Sequence, residues 1–471
     1  MKIYNTLTKT KQEFEPVEKN KVLFYQCGPT VYWNQHIGNL RSVVLADFIN
    51  RTFKYLGYEV LFARNYTDVG HLSGDNEGNA DTGEDRMEKA SKRENLNPEE
   101  IAQKYIQTYN KDVSLLNTIE PTFKPKATEY IEEQKEMINI LFQKGFAYVT
   151  KLGIYFDVSK AENYHRLSGQ KTDFNICGAG AGDVTDSEKK NKEDFALWFF
   201  KTGAHKNALQ TWQFKEFNNY FENGQGFPGW HLECSAMAWK LLGDTIDIKM
   251  GGIEHIPIHH TNEIAQSENT TGKNYANFYL HNEHLLVDGK KMSKSEGTSY
   301  LLSDIIDKGY SPLDLRFLFL QAHYRSKQNF TWDSLEASKK AFDKIKNKLG
   351  QIESVGKINS EFQKKFLEKI EDDFNTPEAL AVLHEVLKSD IPDQDKKATI
   401  LDFDKIFGLK LSEVQKEKEE EMPQEVAQIL EQRKQAREEK NWQKSDELRD
   451  KLAELGYIVK DGPDGQTVTK K

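Results

Sequence analysis

Between residues 21 and 57 the hydrophobic pattern changes period. Lys21-Val-Leu-Phe-Tyr-Gln26 is a short, nearly continuous apolar run, the pattern of a buried strand, and it stops at Cys27-Gly28-Pro29, where glycine and proline punctuate it. After a loop carrying His36-Ile37-Gly38-Asn39, the residues Leu40, Val43, Val44, Ala46, Phe48, Ile49, Phe53 and Leu56 recur at helical spacing. Gly57 stands where such a helix would stop. Strand, tight turn and helix make half of a parallel-sheet unit, and residues 58–64 supply a second strand-like run. In such units ligands sit at the carboxyl ends of strands, close to helix N-termini. Cys27 and His36 both fall there, although singly they also read as a small core residue and a surface-loop histidine.

Further along, residues 73–85 are rich in Gly, Asn, Asp and Glu and read as an acidic loop, after which a helical pattern runs from Pro98 to Leu116. From about 117 to 225 the character changes: an amphipathic segment at 128–144, a strand-like 153–158 and a glycine-rich turn at 177–182 suggest an insertion between two halves of a nucleotide-binding fold. Phe227-Pro-Gly-Trp230 then opens a helix that Gly243 ends. A strand at 245–250 and a second helix beginning at His259 follow. On that helix His259 and Glu263 share a face. From Trp332 the pattern is helical to about Leu409, with Thr376-Pro377 as a capped helix start. Residues 415–421 form a charge run that reads as an exposed linker. The tail reads as a helical hairpin with Arg433, Arg437, Trp442, Arg449 and Leu452, then strand and turn at 456–467.

Composition narrows the class. At 471 residues, 37% hydrophobic and 30% charged, the chain is a soluble protein of three or four domains. Its longest apolar stretch, residues 195–200, is too short to span a bilayer, and the N-terminus lacks the apolar core of a secretory signal. Three widely spaced cysteines argue against a disulfide framework and for a reducing cytoplasm. The net charge of -9 excludes a broadly basic nucleic-acid coat but permits a local patch.

Two constellations carry chemistry. Cys27, Cys234, His259 and Glu263 offer two thiolates, an imidazole and a carboxylate, the ligand types that zinc accepts. Their dispersal over more than two hundred residues excludes a zinc finger and leaves surface decoration open for the His259/Glu263 pair. Lys290-Lys291-Met-Ser-Lys294-Ser-Glu-Gly297 is a cationic, glycine-ended loop able to fold over a polyphosphate and stabilise charge on its oxygens. An ordinary solvated lysine loop has the same composition.

Together, His36-Ile-Gly-Asn39 and Lys291-Met-Ser-Lys-Ser295 resemble the two signature sequences of class I aminoacyl-tRNA synthetases. Cys27-Gly-Pro-Thr-Val-Tyr32, Gly229-Trp-His-Leu-Glu-Cys234-Ser-Ala-Met237, His259-His-Thr-Asn-Glu-Ile-Ala-Gln-Ser267 and Asp372-Asp-Phe-Asn-Thr-Pro-Glu378 resemble the cysteinyl-tRNA synthetase family over nearly the whole chain. That resemblance implies an α/β fold: a Rossmann-type nucleotide-binding catalytic domain with an insertion, followed by an α-helical bundle and a small C-terminal domain. The expected segments are 1–116 and 226–300 for the two catalytic halves, 117–225 for the insertion and 301–330 for a connector. A tRNA-binding bundle at 331–410 and an anticodon-binding module at 411–471 complete the chain.

The resemblance also implies roles. Cys27, Cys234, His259 and Glu263 would hold a zinc that binds the substrate cysteine thiolate, and Gly28, Thr67 and Trp230 would line the amino-acid pocket. His36, Gly38, Asn39 and Gly252 would meet ATP, accompanied by magnesium. Lys294, assisted by Lys291, would stabilise the α-phosphate during attack by the cysteine carboxylate. The partners would be L-cysteine, ATP and tRNA(Cys), with the chain a monomer in the cytoplasm. Departures include Asn39 in place of the usual histidine, Val69-Gly70-His71 after Asp68, and Glu254 in place of aspartate. Two rivals are a ligase passing cysteine to an amino-sugar thiol precursor, which would lack a full C-terminal module, and a non-catalytic tRNA-binding descendant, which could lose His36, Lys291 or Lys294.

Overall fold

The computed structural model describes residues 1–70, 72, 85–169, 186–292, 297–415, 423–462 and 465–470. The acidic loop before Asp85, the glycine-rich turn with Cys177, and Lys294 with its neighbours 293–296 lie outside the described residues. The chain divides into two compact units, Met1–Val414 and Gln415–Lys471.

Four parallel strands form the sheet that positions the site, in the spatial order Ala276–Asn282, Ile246–Gly252, Lys21–Gln26 and Glu59–Arg64. The helix Ile37–Tyr55 connects the Lys21–Gln26 strand to Glu59–Arg64, and His259–Thr271 connects Ile246–Gly252 to Ala276–Asn282. These crossovers leave the centre of the sheet in opposite directions. Because parallel crossovers are right-handed, the two helices cover opposite faces. The strand alternation follows suit. Val22 and Phe24 join the core of Val44 and Phe48, whereas Leu23 and Tyr25 join that of Met237 and Ile264. A crevice therefore opens at the carboxyl ends of Lys21–Gln26 and Ile246–Gly252, where the strand order reverses.

Expected and observed boundaries differ in a few places. The third sheet strand runs to Gly252 because Gly251 and Gly252 stay paired with His281 and Asn282. The strand at 153 ends at Phe156, since Asp157 turns the chain and accepts from the Ser159 N-H. Asn375, not Thr376, caps the Thr376–Lys388 helix, its side chain accepting from the Glu378 N-H at 3.3 Å. An N-terminal hairpin, Lys2–Asn5 with Thr10–Glu13, gave no periodic signal because only short, mostly polar runs form it.

Between the catalytic halves, Ala147–Val149, Gly153–Phe156, Phe195–Phe200 and Gly226–Pro228 build a four-stranded antiparallel sheet. Every residue of Phe195–Phe200 is buried, which explains its unbroken apolar run. Downstream, the helices Pro312–Leu320, Trp332–Gly350, Ser360–Ile370, Thr376–Lys388 and Asp393–Phe407 share one apolar core with the Ile37–Tyr55 face of the sheet. Buried Arg316 ties them together: it donates to Asp47 Oδ2 at 2.6 Å, the Phe407 carbonyl at 2.8 Å and the Leu116 carbonyl at 2.9 Å.

The second unit pairs the helices Gln424–Glu438 and Trp442–Glu454 over Val426, Ile429 and Leu452, followed by the hairpin Tyr457–Gly462 and Gly465–Lys470. Arg433 is buried and bonds Asp461 at 2.9 Å, so it holds this unit together. Trp442 is 58% exposed, with the Arg437 guanidinium 5.7 Å from its ring. Among the described residues, no helix is long and apolar enough to cross a membrane.

Candidate active site

Three strand ends deliver the site. Cys27 and Gly28 follow the Lys21–Gln26 strand, Thr67 follows Glu59–Arg64, and Gly252 closes Ile246–Gly252. Gly28 is required by close approach: a Cβ there would lie 1.7 Å from the Asn65 carbonyl oxygen, while its N-H donates to Asn65 Oδ1 at 2.8 Å. Two helices then bring donors from the other side. Trp230 and Cys234 lie one turn apart on Trp230–Leu242, and His259 and Glu263 one turn apart on His259–Thr271.

Cys27, Cys234, His259 and Glu263 converge, one ligand atom from each lying within 4.8 Å of all the others. His259 Nε2 is 2.9 Å from Glu263 Oε1, and Cys27 Sγ is 3.6 Å from the same oxygen. The donor set is soft and largely buried, which suits zinc and disfavours calcium or magnesium. A second grouping shares Cys27 with His255 and His260. Around the four donors runs a shell the sequence reading did not pick out. His231 Nδ1 lies 3.0 Å from His259 Nδ1, leaving Nε2 of His259 facing the cluster. His260 links Cys27 Sγ, at 3.3 Å, to His281 Nε2, at 2.7 Å, and His281 reaches Thr6 Oγ1 at 2.9 Å. Thr67 donates to the buried Glu233 carboxylate. Lys249, fully buried, sits 2.5 Å from Glu263 Oε2. Its signal was available: a lysine within the apolar strand Ile246-Asp-Ile-Lys-Met-Gly-Gly252 needs a buried partner.

Electrostatics separate the two thiols. Burial opposes charge on Cys27, yet hydrogen bonding with Cys234 and the charges of Lys249 and His260 bring it well below the ordinary thiol range. Burial and the neighbouring Cys27 push Cys234 the other way. Burial works against protonation of His259, but Glu263 and Cys27 raise it to about 9. Burial likewise opposes the Glu263 charge, and Lys249 outweighs it. For Glu233 burial outweighs the Thr67 hydrogen bond and the His259 charge, and drives it well upward. A metal dication entering this cluster would displace the protons on His259 and Cys234.

The cluster opens on a cavity of about 510 Å³. Cys27, Gly28, Thr67, Trp230, Cys234 and His259 line it, together with His36, Gly38, Asn39, Gly252 and Lys291. Glu263 is buried behind them, and Lys294 lies outside the described residues. His36 caps the Ile37–Tyr55 helix, its Nδ1 accepting from the Asn39 N-H at 3.3 Å, so a helix N-terminus faces the cavity. Gly38 admits close approach, since a Cβ there would meet the Met292 side chain at 2.2 Å.

Residues 13–340 match the family of class I (C) tRNA synthetase catalytic domains, residues 365–389 a DALR domain, and residues 419–468 the cysteinyl-tRNA ligase anticodon binding domain. A cysteine–tRNA ligase of Treponema denticola is 38% identical over 504 positions, covering 100% of this chain and 99% of its own. That of Caldicellulosiruptor saccharolyticus is 40% identical over 492 positions, covering 100% of both. The chain belongs to the cysteine–tRNA ligase family. Among solved structures, Mycobacterium tuberculosis methionyl-tRNA synthetase in complex with methionyl-adenylate superimposes with a TM-score of 0.55 at 12% identity, covering 83% of this chain and 90% of that one. The leucyl enzyme of Agrobacterium radiobacter, in a ternary complex with tRNA, gives 0.57 at 12%, covering 85% and 86%. At such identity the likeness concerns the α/β fold alone.

Within this cysteine–tRNA ligase family member, two of the departures noted in the sequence fall on the cavity. Asn39 and Glu254 both line it, and a Cβ on Gly252 would meet the Glu254 carboxylate at 2.2 Å, so the longer acid folds back over the glycine. Lys291 is exposed on the short strand Lys290–Lys291, which pairs with Leu285–Val287 at the cavity edge.

Proposed function

We propose that the chain activates L-cysteine with ATP to cysteinyl-adenylate and transfers cysteine to the 3' terminal adenosine of tRNA(Cys), acting as a monomer in the cytoplasm. Cys27, Cys234, His259 and Glu263 would hold one zinc ion. When bound, zinc supplies a soft Lewis-acid position that prefers a thiolate to the hydroxyl of serine. The observation that carries this reading is the opening of a soft donor cluster onto the same cavity as a helix N-terminus and Lys291.

The protein groups would act by position and charge. Trp230 and Thr67 enclose the cysteine side chain, so its carboxylate is held toward the nucleotide. His36 and the Ile37–Tyr55 N-terminus receive the ATP phosphates, with Gly38, Asn39 and Gly252 bordering the nucleotide and magnesium accompanying it. Lys291, with Lys294 three residues further along the sequence, offsets charge growing on the α-phosphate oxygens as the cysteine carboxylate attacks and pyrophosphate leaves. Because the thiolate preference excludes serine at the first step, no hydrolytic proofreading site is required. The segment matching the anticodon binding domain favours tRNA as acceptor over an amino-sugar thiol precursor.

Cysteine-dependent ATP–pyrophosphate exchange by the zinc-loaded chain, followed by acylation of tRNA(Cys), tests the proposal. Absence of exchange with cysteine, ATP, magnesium and zinc present would overturn it. Exchange without tRNA acylation would favour the amino-sugar ligase.

A further inference from the structure

Lys249 has no role in the reaction outlined above, yet it is a fully buried cation within the sheet. It lies inside the Ile246–Gly252 strand with no exposed surface, where an ammonium ion loses its hydration. Its Nζ stands 2.5 Å from Glu263 Oε2, 4.3 Å from the centre of the Tyr25 ring and 5.7 Å from that of Tyr275. Tyr275 donates to the same Oε2 at 2.8 Å. Glu263 Oε1 instead faces His259 Nε2 at 2.9 Å and Cys27 Sγ at 3.6 Å. The carboxylate is thus divided: one oxygen is held from behind by a cation and a phenol, and the other is presented to the donor cluster.

Charge counting points the same way. Two thiolates and a carboxylate around a dication leave the buried centre with one net negative charge, and an incoming substrate thiolate would add a second. Uncompensated charge of that kind is expensive away from water, so such a centre would resist the ligand it selects. A buried lysine on the far side of Glu263 removes one unit of it without occupying a ligand position.

We propose that Lys249 is a positioning residue of the metal centre, fixing Glu263 as a one-oxygen ligand through Oε1 and supplying the charge that lets the centre accept an anionic sulfur. The proposal rests on the zinc reading of the four donors. Groups that orient metal ligands in this way commonly change metal affinity by about 10- to 100-fold when removed.

The test uses the full chain as wild type, Lys249→Met, Lys249→Gln and Lys249→Arg. Zinc affinity is measured by competition with a chromophoric chelator, and KM for cysteine and for ATP by pyrophosphate exchange. In Lys249→Met, zinc affinity is expected to fall about tenfold or more, and KM for cysteine to rise while KM for ATP stays unchanged. Lys249→Arg, which keeps the charge, is expected to recover most of both. A Lys249→Met chain that binds zinc within about twofold of wild type, with an unchanged KM for cysteine, would overturn the proposal. If Lys249→Met does not fold, Lys249→Gln, which removes the charge but keeps a donor for the same carboxylate oxygen, takes its place, and zinc affinity within about twofold of wild type there would equally overturn it. Failure of the wild-type chain itself to bind zinc would instead remove the donor-set reading on which the proposal stands.

Discussion

The indole of Trp230 stacks on the imidazole of His259, with ring centroids 4.3 Å apart and planes 29° from parallel. His231 meets the edge of the same imidazole through Nδ1, so His259 is held from its face and from its rim. One side chain thereby both walls the cavity and orients a donor.

Replacing Trp230 with alanine should loosen that imidazole and widen the cavity together. An aromatic pair of this type contributes about 0.5–1.5 kcal/mol beyond its buried area, which corresponds to as much as about tenfold in cysteine affinity. Trp230→Phe should recover part of the loss. Cysteine titration followed by exchange kinetics will measure it, and equal KM values in all three chains would disprove the stacking role.

Cys234→Ser exchanges a soft donor for one that zinc binds poorly. The variant is expected to purify with little zinc by elemental analysis. Wild-type chain stripped with a strong chelator should lose cysteine-dependent exchange and regain it on adding zinc. Full exchange by thoroughly stripped protein would count against a metal that selects the amino acid.

Lys291 is exposed, lines the cavity and is not one of the four donors, so its loss should leave cysteine binding intact. If it stabilises charge developing in transfer, Lys291→Ala should slow adenylate formation by about 10²- to 10³-fold. Single-turnover measurement at saturating cysteine and ATP separates this from a binding defect, and an unchanged rate would exclude the role.

Asp47 and Arg316 are both fully buried and lie 2.6 Å apart, with Arg51 bonded to the same carboxylate oxygen at 2.8 Å. Asp47→Ala would leave the Arg316 guanidinium buried without its partner, at a cost of about 3–5 kcal/mol. Chemical denaturation should reveal this as a lower midpoint. A midpoint matching wild type would mean that water or a shifted acid replaces the pair.

Burial raises Asp112 from 3.8 to about 6, only partly opposed by Lys111. As pH rises from 4, the unfolded chain loses this proton first, so the folded state is progressively disfavoured until about pH 6 and carries the full penalty above it. Asp112→Asn should therefore melt at a higher temperature than wild type at pH 8, with the gap closing as pH falls toward 4. Parallel melting curves that keep a constant gap would show that this carboxyl does not cause it.

Much of the fold was legible because its elements announce themselves locally. The apolar run at residues 21–26, the helical spacing from Leu40 to Leu56 and the glycine stop at Gly57 depend on neighbours along the chain, and the observed helix Ile37–Tyr55 sits among them. The linear sequence also supplied the soft donor types and their dispersal. What it could not determine was which histidines, acids and cations face one another, because those contacts join residues far apart in sequence through strand order and helix side. His231 against His259 and Lys249 against Glu263 exist only once the His259–Thr271 crossover has packed on the sheet and on the Trp230–Leu242 helix, and His260 against Cys27 only once the two halves share one sheet. A lysine in an apolar strand is a visible anomaly in sequence. Only packing turns it into a partner for a carboxylate, since a buried charge is stable just where another element brings its counter-charge.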